Sequence, residues 1–130
     1  MIVLHASGTQ TATVTTEHSL ATAVVEGKYR FIVDCNAMAA GDVLELRINQ
    51  IVLTVGTKRL AYFGAFYGAR PSWEITVTSE EAWNDLADAN SLEFTLLQTF
   101  GTGRAYPWKV LREKNLTPTT DGRTLDVSAG

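Results

Sequence analysis

Residues 42–49 read DVLELRIN, with Leu44, Leu46 and Ile48 on one side of the alternation and Glu45, Arg47 and Asn49 on the other. Apolar and polar residues at a period of two describe a strand with one face on a core and the other in water. It is the cleanest strand signal in the chain. Upstream, KYRFIVDC (28–35) puts Tyr29, Phe31, Val33 and Cys35 on one face and Arg30, Ile32 and Asp34 on the other, so the first of these faces is core. The Thr-rich alternation of TQTATVTTEHSLATAVVEG (9–27) predicts strands near 9–15 and 19–26, closed by Gly27.

Downstream, IVLTVG (51–56) continues the pattern past Asn49 and Gln50, as one long bent strand or as a hairpin through Asn49-Gln50, and the bent strand is preferred. WEITVTS (73–79) is a short strand ending at Thr78. SLEFTLLQTF (91–100) and AYPWKVLRE (105–113), joined by GTGR, read as a hairpin, with Pro107 marking the second strand as an edge or a bulged one. One segment departs from β. In TSEEAWNDLADAN (78–90), Thr78 and Glu81 make a capping box, and Trp83, Leu86 and Ala87 form a buried stripe, so a helix is expected over about 79–88.

Seventeen Thr, eleven Val and five Ile give 33 β-branched residues in 130, the composition of a pleated, half-buried surface. The expected fold is therefore all-β, an antiparallel sandwich with the helix packed across one end. Residues 1–112 form the β-sandwich domain. From 113 to 130 the only sizeable apolar groups are Leu116, Leu125 and Val127, too few for a core, so this stretch is read as an extended C-terminal arm or linker. The expected core is Leu44, Leu46, Ile48, Phe31, Val33, Trp83, Leu86, Phe94 and Leu96.

A hydrophobic content of 45%, 19% charged residues and a mean hydropathy of +0.01 describe a globular chain, and no apolar run is long enough for a spanning helix. The start, MIVLHASGTQ, lacks a basic region, so no secretory signal is expected. Net charge is −3 and the cations are scattered, which disfavours a nucleic-acid backbone; neither nucleic acid nor a membrane is an expected partner. Cys35 has no second cysteine to bridge and reads as a small buried hydrophobe.

No catalytic or metal-binding constellation emerges, and no cofactor is expected. His5 and His18 lack the further ligands that a metal needs. Glu80, Glu81, Asp85 and Asp88 are explained by capping and exposure of the helix, and Glu45, Glu74 and Glu93 by alternation on strands. GTGR (101–104) has no following helix to make it a phosphate loop, and no serine or cysteine has a nucleophile's setting, so the chain reads as a non-enzyme. The aromatic segment AYFGAFYGA (61–69) stands out. Tyr62, Phe63, Phe66, Tyr67 and nearby Trp73 exceed what one face of a small core requires and are the candidate oligomer interface, with sugar stacking as the alternative use and core packing as the explanation for about half of them.

TPTTDGRTLDVSAG, Thr117 to Gly130, resembles a segment of tailed-bacteriophage structural proteins, in which a β-rich N-terminal domain is followed by a Gly-containing hinge. The resemblance covers about a tenth of the chain. It implies a non-catalytic virion protein of β-sandwich or jelly-roll fold, commonly a homotrimer, assembled in the host cytoplasm. Its role would be capsid decoration (cement) or head-fibre anchoring, through contacts with other virion proteins such as the major capsid protein. Leu116, Arg123, Leu125 and Val127 would then belong to a partner-binding arm. A tail-fibre or carbohydrate-binding module that touches the host surface is the alternative implied.

Overall fold

Tyr29, Phe31 and Val33 are wholly buried, and the rings of Phe31 and Tyr29 meet Phe94 at 5.8 and 6.1 Å between centroids. These contacts join two sheets. The computed structural model describes residues 2–23, 25–51, 57–72, 74–84, 92–113, 116–118 and 124–126. In chain order its strands are β1 (Ile2–Thr11), β2 (Glu17–Ala23), β3 (Gly27–Asp34), β4 (Val43–Ile51), β5 (Lys58–Tyr67), β6 (Thr76–Thr78), β7 (Ala82–Asn84), β8 (Leu92–Phe100), β9 (Ala105–Glu113), β10 (Leu116–Pro118) and β11 (Thr124–Asp126). The first sheet has the order β1-β9-β3-β6, with β7 also paired to β3; the second is β2-β8-β4-β5. All pairings are antiparallel. The chain crosses between sheets after β1, β2, β3, β5, β7 and β8, the connectivity of a jelly-roll-like sandwich.

The alternation read from the sequence sets both inner faces. Leu44, Leu46 and Ile48 of β4 are at most 1% exposed, and Leu92, Phe94 and Leu96 of β8 are wholly buried. Opposite them lie Tyr29, Phe31 and Val33 of β3 and Tyr106 and Val110 of β9. Cys35 closes one end of this core, and burial pushes its thiol up to about 12. Seven of the nine expected core residues are therefore buried; Leu86 lies outside the described residues.

The remaining one, Trp83, is 54% exposed, because residues 79–84 do not form the expected helix. The groups that suggested a capping box serve β3 instead. Thr78 is the last residue of β6. The Ser79 amide donates to the Phe31 carbonyl at 2.8 Å, and its hydroxyl accepts from the Phe31 amide at 2.9 Å. Glu81 pairs with Arg30 at 2.7 Å, and β7 then lies along β3 with Trp83 opposite Lys28 on the outer face. Those pairings satisfy backbone groups of β3 that a helix would have left open. The rest of the expected helix, 85–88, lies outside the described residues.

The expected hairpin of 91–113 is also absent. β8 and β9 are long strands as read, but they belong to different sheets and face each other through the core, where Tyr106 donates to Gln98 Oε1 at 3.0 Å. The GTGR segment is an arch rather than a hairpin turn. Gly101 has φ +92, and a Cβ there would collide with Asp42, so the arch requires glycine at that position. Pro107 sits in a central strand, yet β3 pairs with β9 only from Trp108 onward, so among the described residues Pro107 is paired with β1 and not with β3. Within the predicted arm, Leu116–Pro118 pairs with Thr124–Asp126 as a small antiparallel ribbon. The bent strand expected through IVLTVG is described to Ile51 only.

Candidate functional site

β5 is an edge strand, paired with β4 on one side and with no strand on the other among the described residues. Its alternation divides the aromatic segment in two. Tyr62, Gly64 and Phe66 lie opposite Ile48, Leu46 and Leu44, so they face inward, and both rings pack half-buried against the core. A Cβ at Gly64 would lie 2.6 Å from the Tyr62 hydroxyl and 3.2 Å from the Phe66 ring, so a larger residue there would displace both rings. Phe63 and Tyr67 lie opposite Arg47 and Val43, face outward and are 47% and 67% exposed. The five aromatics proposed as one surface are thus two inward rings and two outward rings, with Trp73 outside the described residues.

Register carries the outward rings into a larger patch. Val43 is paired with Tyr67 on one side and with Phe100 on the other, so Phe100, Val43 and Tyr67 form one row across β8, β4 and β5. Phe100 is 66% exposed. Leu60, 57% exposed, lies beside Asn49 farther along the same face. Val43, Leu60 and Phe100 were not singled out from sequence. Val43 carried a signal, because it shares the alternation of Glu45 and Arg47 and so had to face outward.

Toward β2 the same face turns polar. Arg47 bonds Glu45 at 2.6 Å, reaches Glu17 at 3.7 Å and stacks its guanidinium 5.6 Å over the Phe63 ring. Thr95 donates to Glu17 at 2.7 Å, Ser19 donates to Glu93 at 2.9 Å, and Lys58 stands 3.9 Å from Glu93. Charge is therefore paired off at β2 and β8, while the apolar surface gathers toward β5.

A buried polar cluster anchors the β5 end of this row. Asp42, 1% exposed, accepts from the Ala39 amide at 2.9 Å, the Arg104 Nε at 2.9 Å and the Thr102 amide at 3.2 Å. Burial raises its carboxyl, but these hydrogen bonds and the guanidinium outweigh burial and hold it below the usual carboxylate range. Its own carbonyl accepts from the Gly68 amide at 2.8 Å, just after β5. Gln98, wholly buried, donates to the Phe100 and Thr102 carbonyls and accepts from the Arg104 amide and the Tyr106 hydroxyl. Every group here is engaged in holding loops together.

The histidines are engaged likewise. His5, the bulged residue of β1, donates from Nε2 to the Thr22 carbonyl at 2.8 Å and stacks edge-on against Tyr29 at 5.2 Å. His18 Nε2 accepts from the Thr13 amide at 3.1 Å. Among the described residues no three His, Cys, Asp or Glu side chains group to hold a metal. A second apolar feature lies on the outer face of the first sheet, a shallow trough floored by Ile2, Ile32 and Leu111 and rimmed by Lys28, Arg30, Glu81 and Glu113. Of the expected arm residues, Leu116 and Leu125 lie in the β10–β11 ribbon, and Arg123 and Val127 are outside the described residues. Comparison with protein-family models, curated proteins and solved structures finds no match.

Proposed function

We propose that this chain is a non-catalytic structural protein of a tailed-bacteriophage virion, a capsid decoration or head-fibre-anchoring module that acts through contacts with copies of itself and with the major capsid protein. The observation that supports an assembly role is the row Phe100–Val43–Tyr67 with Phe63 beside it, apolar side chains gathered at one sheet edge while charges elsewhere on that face are paired. Exposed apolar surface of this kind, rimmed by polar groups, marks protein contacts. The virion setting rests on the resemblance of Thr117 to Gly130. Placement would be on the particle, after assembly in the host cytoplasm.

The test is co-sedimentation of the purified chain with capsids that lack it. Binding that weakens on Tyr67→Ser and Phe100→Ser, and on removal of residues 114–130, is the expected result. Absence of capsid binding, together with retention on a glycan array that the same ring substitutions abolish, would overturn this reading in favour of a carbohydrate-binding module. The outward phenol of Tyr67 is the group that such a module would use for stacking.

A further inference from the structure

The sheet edges differ in how they are closed. β1 turns Ile2 and Leu4 outward but is broken right after them by the bulge at His5, and beyond it the outward residues are Ser7, Thr9 and Thr11. β2 is interrupted at Leu20 and turns outward Glu17, Ser19 and Thr22; β6 and β7 are three residues each. Short, bulged or polar strands are the ordinary protections of an edge. On β5 the bulge falls at Ala61, which leaves Tyr62–Tyr67 regular, with Phe63, Ala65 and Tyr67 outward.

We infer that this edge pairs with the same edge of a second copy of the chain, antiparallel about a twofold axis through Ala65. The inference rests on the assembly reading above and names its self-contact. In this register Ala65 faces Ala65 of the second copy, and Phe63 lies opposite Tyr67 on both sides of the axis. The pattern is its own complement. Moving the axis to Gly64 sets Tyr67 against the bulge at Ala61, and moving it to Phe66 sets Phe63 against Ala69, beyond the strand end; only the axis at Ala65 pairs both rings. Lys58 and Arg59 lie outside the paired stretch 63–67. Main-chain hydrogen bonds along 63–67 and two cross-strand aromatic pairs supply the contact. The row Phe100–Val43–Tyr67 then runs on into Phe63 of the second copy. An isologous contact of this kind makes a dimer, in place of the homotrimer that the resemblance implies.

The experiment is sedimentation of the full chain, set beside oxidative cross-linking of Ala65→Cys and, as reference, Thr9→Cys on the β1 edge. Cys35 is wholly buried and does not compete. A dimer is expected, with the Ala65→Cys variant cross-linking faster than the reference. Phe63→Ser and Tyr67→Ser together should raise the dissociation constant roughly thirtyfold or more with the melting transition retained. A monomer, a trimer, equal cross-linking at both sites, or a dimer indifferent to the ring substitutions would overturn the pairing. A dimer that ignores capsids would uphold the pairing and count against the virion reading, and capsid binding by a monomer would do the reverse.

Discussion

β4 and β5 lie side by side, paired from Val43–Tyr67 to Ile51–Lys58, and both alternate, yet they bury their residues to different depths. β4 has neighbours on both sides and the opposite sheet beneath it, so Leu44, Leu46 and Ile48 are sealed, and its outward Arg47 is held between two carboxylates. Among the described residues β5 has one neighbour. Its inward rings are half-buried at the side of the sandwich, and its outward rings are covered by little besides Arg47. The same period of two therefore means a filled core in one strand and a core margin with an open surface in the next. Position in the sheet sets the energetic weight of a side chain, and the pattern alone does not.

Substitutions along the two strands should reproduce that gradient. Leu46→Ala, in the middle of β4, should cost about 2–5 kcal/mol in urea unfolding, as buried leucines do. A cost near zero would place this face outside the core. Removing the Asp42 carboxylate by Asp42→Ala leaves two amides and the Arg104 Nε without their acceptor, and about 1–3 kcal/mol should be lost.

The same carboxylate predicts a pH dependence. Its folded pKa lies below the unfolded value, so its stabilisation is present above about pH 4 and is lost as pH falls through the folded value. Unfolding midpoints at neutral and acid pH should therefore lie farther apart for the parent chain than for Asp42→Asn, and equal separations would remove Asp42 from the account.

Phe66→Ser, inward on β5, should cost about 1–2 kcal/mol, less than a sealed ring because the site is partly open already. Tyr67→Ser, one residue on and outward, should change stability by less than about 0.5 kcal/mol at concentrations where the chain is monomeric. Equal losses for these two neighbours would show that β5 is covered on both faces and break the comparison.

Much of the fold was legible because core strands carry their own evidence. In β3 and β4, every second residue is apolar over a long enough run to specify both the strand and its buried face. Residues 79–84 were misread because Thr78 and Glu81, suited to a helix start, are equally suited to a strand beside β3, where Thr78 pairs with Ile32 and Glu81 with Arg30. The aromatic segment was legible as a surplus of rings. Its division into Tyr62 and Phe66 inside, Phe63 and Tyr67 outside, follows from strand periodicity once β5 is placed against β4.

Two kinds of information thus have different sources. Local chemistry in the chain determined the all-β class and the buried faces of β3, β4 and β8, because each depends on residues a few positions apart. Tertiary structure decided the rest: that β8 and β9 face one another instead of pairing, that Trp83 lies on a surface, and that Phe100 and Val43 join Tyr67 in one row. Those outcomes depend on which sheet each strand joins, and that choice is made by long-range burial and backbone pairing between segments distant in sequence.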